Sequence, residues 1–196
     1  MSIKVLKISL CGDKKVGKSV LAHRLTNQEP FLDCVSTIGV DFFARRLPKC
    51  STIMNIWDLG GDPRFRGITY PYVRGASLLL YVYDLTREET ISTLMDLHKN
   101  FSERKISCEK VIVIGNKSDE VYYPHLNFSE QGEKFADSIN ALHLTVSAKD
   151  NVGIDSLLET VMELFEIEEN SEYKEEEKKT SWSQDMVRQC RECVIL

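Results

Sequence analysis

No apolar run in the chain approaches the roughly 18 residues that a membrane-spanning helix needs. The opening stretch MSIKVLKISLCGD turns polar too early for a secretory signal. Ser2 follows Met1 where N-myristoylation requires glycine. A basic excess is missing as well: the net charge is -5, so nothing global points to a nucleic-acid partner. The six cysteines, Cys11, Cys34, Cys50, Cys108, Cys190 and Cys193, make no close zinc-ligand pairing with histidine. His23, His98, His125 and His143 are scattered without metal-ligand spacing and read as surface or packed residues. The first four cysteines read as packing or loop positions, and a reduced, cytoplasmic setting is expected. Internal repeats are absent. What remains is the composition of a soluble domain, with 42% hydrophobic and 28% charged residues. At 196 residues, one domain plus a tail can bury a sizeable core.

Strand-like and helix-like stretches alternate. Lys4 to Leu10 is an apolar strand running into a glycine-bounded loop, and Gly17 to Thr26 reads as a helix. VDFFARRL and TIMNIWDL read as two strands joined by a hairpin at Pro48-Lys49-Cys50. ASLLLYVYDL is nearly all apolar, as a strand buried on both faces should be, and VIVIGNKSD repeats that form. Helices are expected over about 88–104, over SEQGEKFADSI and over GIDSLLETVMELFEI, with a last short strand in LHLTVSA. Such alternation predicts an α/β fold with a mostly parallel, six-stranded sheet covered by helices on both faces. Ligands of such sheets bind beyond the carboxyl ends of the strands, where the motifs below fall. From about Glu168 the composition turns polar and acidic, so a domain over 1–167 and a flexible tail over 168–196 are expected.

GDKKVGKS, Gly12 to Ser19, matches G-x-x-x-x-G-K-[ST] between a strand and a helix, the context that a phosphate-binding loop requires. Its N–H groups can wrap phosphate oxygens at a helix N-terminus. Lys18 should reach the β- and γ-phosphates, and Ser19 should offer its hydroxyl to Mg2+. Gly12, Lys15, Val16, Gly17 and Val20 complete the expected phosphate-side contacts. Lys14 and Lys15 read as solvated charge at the mouth of the site; the sharper reading is extra positive charge facing the γ-phosphate.

Asn116-Lys117-Ser118-Asp119 follows a buried strand and selects the base. The Asp119 carboxylate can accept from guanine N1–H and its 2-amino group, a paired edge that adenine lacks. The Lys117 stem can lie over the ring, Asn116 can tie the loops together, and the Ala148 N–H of Ser147-Ala148-Lys149 can donate to guanine O6.

Together GDKKVGKS, STIGVDF, WDLGGDPRF, YVRGA, VYDLT, GNKSD and SAK resemble a Ras-superfamily small GTPase, with the P-loop NTPase fold. IGVDF, Trp57 and YVRGA point to the Rab family, over about residues 3–167. Gly60, where Rab and Ras proteins usually have alanine, gives DLGGD an Arf-like flavour; the Rab-like first switch and the C-terminal cysteine stand against Arf. The resemblance implies GTP/GDP and Mg2+ as cofactors. It makes Thr37 the switch threonine, binding Mg2+ by its hydroxyl and the γ-phosphate by its N–H. Asp58 would hold Mg2+ through a water, and the Gly61 N–H would meet the γ-phosphate. These contacts would order both loops with GTP and release them after hydrolysis. Lys18, Thr37, Gly61 and Asp62 are therefore the catalytic candidates.

Three positions depart from the family pattern. Asp62 replaces the glutamine that orients the attacking water, and puts negative charge near the γ-phosphate. That repulsion should either swing Asp62 outward or slow hydrolysis. Leu59 replaces a threonine. The phenylalanine beside the guanine aligns with Pro30, leaving Phe31 as its candidate replacement. Two forms of switch follow: a slow GTPase that depends on a partner, or a mostly GTP-loaded binding module. A phosphate-loop kinase or ATPase is the third class, opposed by Asn116, Lys117 and Asp119.

The chain ends in CVIL, which reads as a prenylation signal on Cys193, with the final leucine favouring geranylgeranyl. One lipid anchors marginally, and the acidic tail gives no polybasic support, so Cys190 is the candidate for a second, reversible lipid. The family resemblance implies an exchange factor, a GTPase-activating protein, effectors and a prenyl-binding escort. The expected setting is a monomer in the cytoplasm and on the cytoplasmic face of endomembranes.

Overall fold

The computed structural model describes residues 3–28, 36–47, 50–123, 125 and 127–167. Phe31, Cys34, Cys190, Cys193 and the tail expected over 168–196 lie outside the described residues. The elements run β1 (Lys4–Cys11), α1 (Lys18–Leu25), β2 (Val40–Arg46), β3 (Thr52–Leu59), α2 (Arg66–Val73) and β4 (Ala76–Asp84), then α3 (Glu89–Glu103), β5 (Cys108–Asn116), α4 (Ser129–Ser138), β6 (Leu142–Thr145) and α5 (Ile154–Leu164). Six strands form one sheet in the order β2-β3-β1-β4-β5-β6. β2 runs antiparallel to β3, and the other pairs are parallel.

β4 shows why the sheet is covered twice. Its side chains alternate across the pleat, and both sets are apolar. Leu78, Leu80 and Val82 join Leu21 and Leu25 of α1 and Leu157 and Val161 of α5 on one face. Leu79, Tyr81 and Tyr83 face the other way, against Ile91, Leu94 and Phe101 of α3 and Phe135 of α4. The two tyrosine hydroxyls reach imidazoles: Tyr81 meets His98 Nδ1 at 3.3 Å and Tyr83 meets His143 Nε2 at 2.9 Å. Cys11 and Cys50 are buried in these two cores. Among the described residues, no helix is long and apolar enough to cross a membrane.

α2 is the element that the sequence pattern does not announce. It has only eight residues, RGITYPYV, with Pro71 inside, and buries only Thr69 and Val73. Proline removes one helical N–H, and two buried positions leave no readable periodicity. β6 is shorter than LHLTVSA suggests, because the chain turns after Thr145 and Ser147 closes a bridge with Val152.

Candidate functional site

The loops after β1, β3, β5 and β6 open at the same end of the sheet and surround a cavity of about 420 Å³. Lys14, Lys15, Gly17, Lys18, Ser19, Val20, Thr37, Gly61, Asp62, Asn116, Lys117, Asp119, Ala148 and Lys149 line it, together with Ser36 and Glu120. Gly12, Val16 and Ser147 are not part of this lining. Val16 is fully buried in the core, and Ser147 is 1% exposed.

The phosphate-loop end is a buried cation among carbonyls. Lys18 Nζ donates to Gly12 O at 3.1 Å and Asp13 O at 2.7 Å. Burial lowers its pKa from the ordinary lysine value, with Asp58 opposing. An ammonium held this way, at a helix N-terminus, favours an anion beside it. Next to it, Ser19 Oγ donates to Asp58 Oδ2 at 2.6 Å and lies 3.0 Å from Thr37 Oγ1, which is 3.2 Å from the same Oδ2. Burial pushes the Asp58 carboxyl up, while Lys18 and the two hydroxyls pull it down. Its other oxygen, Oδ1, is buried without a hydrogen-bond partner among the described residues. Two hydroxyls and an unsatisfied buried carboxylate oxygen form a set of hard oxygen donors that fits Mg2+, directly or through water.

Gly61 lies against the phosphate loop so closely that a Cβ there would collide with the Asp13 carbonyl and the Lys14 nitrogen. The next residue, Asp62, lines the cavity but is not a bare carboxylate. Its Oδ1 accepts from the Arg64 backbone N–H at 2.9 Å and from Arg64 Nε at 3.0 Å. Its Oδ2 accepts from Arg64 Nη2 at 2.7 Å and Nε at 3.1 Å. Asp62 thereby caps the short 3-10 turn Pro63–Phe65. The Arg64 hydrogen bonds lower its pKa to about 2. The sequence pointed to Asp62 but not to its partner; an arginine two positions after a capping aspartate was the available signal.

At the end of the cavity formed by the loops after β5 and β6, Asn116 is 2% exposed, and its Nδ2 donates to Val16 O at 2.8 Å. Its Oδ1 accepts the Ala148 N–H at 3.0 Å. That N–H, expected to point at a guanine O6, is thus engaged by Asn116 in this structure. Asp119 Oδ1 accepts from Ser147 Oγ at 2.6 Å, while buried Oδ2 has no hydrogen-bond partner among the described residues and lies 3.4 Å from Lys149 Nζ. A buried, underused carboxylate oxygen suits a paired N–H edge of a ligand. Lys117, in the left-handed region at φ 68°, reaches Asp84 Oδ2 with Nζ at 2.8 Å.

Asp84, Arg87 and Arg24 were not singled out in the sequence. Asp84 is 1% exposed; its Oδ2 also meets Arg87 Nε at 3.0 Å, and its Oδ1 accepts from the Thr86 N–H and hydroxyl. Burial alone would raise its pKa, but bonds from Lys117, Thr86 and Arg87 outweigh that and hold it below the ordinary value. The legible signal was an aspartate closing an apolar strand, where a buried charge needs partners. Arg24, on α1, donates to the carbonyls of Ala148 at 2.9 Å and Lys149 at 2.7 Å, 124 and 125 residues away. Nothing local in the sequence marks it.

Residues 7–169 match the Ras family. The chain is 35% identical to the GTP-binding protein ypt1 of Schizosaccharomyces pombe, over 80% of this chain and 78% of that protein. It is 31% identical to the Ras-related protein SEC4 of Candida albicans, over 85% and 81% respectively. It is 33% identical to the Ras-related protein Rab-8A of Gallus gallus, over 80% and 76%. The sheet order, the loops around the cavity and these matches agree, and the chain belongs to the Ras family, within it to the Rab small GTPases.

Proposed function

We propose that this chain is a guanine-nucleotide switch of vesicle and membrane traffic whose intrinsic GTP hydrolysis is slow. Lys18 and the loop N–H groups hold the phosphates; Ser19, Thr37 and Asp58 hold Mg2+, which supplies charge neutralisation at the phosphates when bound. Asp119 and Lys117 read the guanine, and Asn116 fixes the two loops that frame it. Phe31 is proposed to border the base. Geranylgeranyl on Cys193, with a second lipid on Cys190, places the switch on the cytoplasmic face of endomembranes. An exchange factor, a GTPase-activating protein, effectors and a prenyl-binding escort act on it as a monomer.

The observation that supports slow turnover is the engagement of Asp62. The glutamine of related GTPases orients water with an amide that both donates and accepts. Here the side chain has no donor, and both oxygens are committed to Arg64. The same observation favours a second reading, a GTP-loaded module that recruits effectors and returns to GDP by exchange or with a partner's help.

Single-turnover hydrolysis of preloaded GTP with Mg2+ tests the proposal beside Asp62→Gln. The expected result is slow turnover that the glutamine accelerates by about tenfold, within the gains of up to ~10⁴ that positioned proton-transfer groups supply. An unchanged or slower variant would overturn Asp62 as the brake. No turnover in the original chain over many hours would favour the GTP-loaded module.

A further inference from the structure

Asp62 and Arg64 raise a question of charge that the slow reaction does not answer. A carboxylate beside the place of a third phosphate should repel it, yet Asp62 lines the nucleotide cavity. Gly61 brings the preceding backbone into contact with Asp13 and Lys14 of the phosphate loop, so Asp62 cannot be remote from the phosphates. The chain's remedy is local. Arg64 is two residues on, across a turn that Asp62 itself caps, and its guanidinium engages both carboxylate oxygens at 2.7–3.1 Å. A planar fork on a carboxylate is the pairing that arginine makes and lysine does not reproduce. Among the described residues the remaining Arg64 N–H groups have no hydrogen-bond partner, and the side chain is 79% exposed. Its other contact among the described residues is with the ring of the adjacent Phe65, 5.7 Å from the guanidinium carbon, and neither contact ties Arg64 to a distant element of the fold.

We propose that Arg64 is a specificity-determining partner of Asp62: by neutralising that carboxylate it lets the cavity accept a third phosphate, and so sets the preference for GTP over GDP. It acts through Asp62 and is a positioning residue. The inference rests on the guanine-nucleotide reading above. Two features separate it from simple attraction between Arg64 and phosphate. The effect of losing Arg64 must disappear when the Asp62 charge is also lost. It must also fade with salt, because the Arg64 side of the pair is largely exposed.

The test measures affinities for GDP and for a non-hydrolysable GTP analogue by displacement of a fluorescent guanine nucleotide in Mg2+. The full chain is compared with Arg64→Ala, Asp62→Asn and the double variant. Arg64→Ala should weaken the GTP analogue by about tenfold relative to GDP at ~0.1 M salt, and less at ~1 M, where the Debye length falls to about 3 Å. The double variant should return the ratio to within about twofold of the original, a coupling that only interacting residues give. An unchanged ratio in Arg64→Ala, or a double variant no better than Arg64→Ala, overturns the inference while leaving the switch reading intact. Failure of the unmodified chain to bind either guanine nucleotide overturns both.

Discussion

At the base-facing end of the cavity, Asn116 is 2% exposed and links the phosphate loop to the loop after β6 through both of its amide atoms. Arg24 braces that second loop from α1, and Asp84 anchors Lys117 from the end of β4. At the switch-facing end, Thr37 touches Asp58 at 3.2 Å, and Asp62 is held by a largely exposed arginine. The first end is cross-bonded through elements far apart in the chain, which predicts a shape set before any ligand arrives. The second is held by polar contacts that water, a metal or a phosphate can replace at little cost. On the proposed function, recognition would fall in the first half and reporting the last phosphate in the second, because a ligand shifts only an equilibrium whose states lie close in energy.

Asn116→Ala should break this contrast most severely. It leaves the Val16 carbonyl and the Ala148 N–H unpaired in a buried setting, each at a cost of about 1–3 kcal/mol. Urea unfolding at fixed excess GDP and Mg2+ should show a loss of about 2–6 kcal/mol, part of it through weaker nucleotide binding. A loss under about 1 kcal/mol would mean that water replaces the amide, and that the base end is no more rigid than the switch end.

Asp84→Asn should do less, and its effect should depend on pH. The folded carboxyl lies below its ordinary pKa, so its contribution is present above the unfolded value of about 3.9 and is lost as pH falls through the lowered one. Breaking a fully buried pair costs about 3–5 kcal/mol, but Lys117 and Arg87 are partly exposed and can recover solvent, so about 1–3 kcal/mol is expected at pH 7. The difference between variant and original should shrink as pH drops below about 4. An equal difference at every pH would assign the loss to packing.

The same division decides what could be read from the sequence. Gly12 to Ser19 and Asn116 to Asp119 are contiguous, because a loop that wraps a phosphate or offers one edge to a base uses neighbouring residues. The strands of the sheet follow from two-sided apolar runs such as Leu78 to Val82. What escaped was either long-range or short. Arg24 acts on carbonyls more than 120 residues away, and no local pattern encodes that contact. α2 escaped because Pro71 and two buried side chains give no period. The partner of Asp62 lay in plain sight at Arg64, but the geometry of the 3-10 turn was needed to bring the two together.

Gly60→Ala should have the smallest effect on stability and sharpen the contrast most selectively. A Cβ at Gly60 would lie 2.8 Å from the Thr37 carbonyl and 3.0 Å from that of Gly39, whose oxygen also accepts the Gly60 N–H at 2.8 Å. Backbone atoms must yield, and the segment from Ser36 to Gly39 is solvent-facing, with Ile38 78% exposed, so it can move without opening the core. The thermal midpoint should fall by no more than about 2–4 °C, the shift expected for ~1 kcal/mol in a chain of this size. Thr37 is the residue displaced, and its hydroxyl belongs to the oxygen cluster with Ser19 and Asp58. Nucleotide release should therefore require a higher Mg2+ concentration to be suppressed, about threefold to tenfold, a coupling of ~1 kcal/mol. Titrating Mg2+ against the dissociation rate of a fluorescent GDP measures this directly. A large fall in midpoint with an unchanged Mg2+ requirement would place Gly60 in the rigid half, and the line between the two halves would have to be redrawn between Gly60 and Gly61.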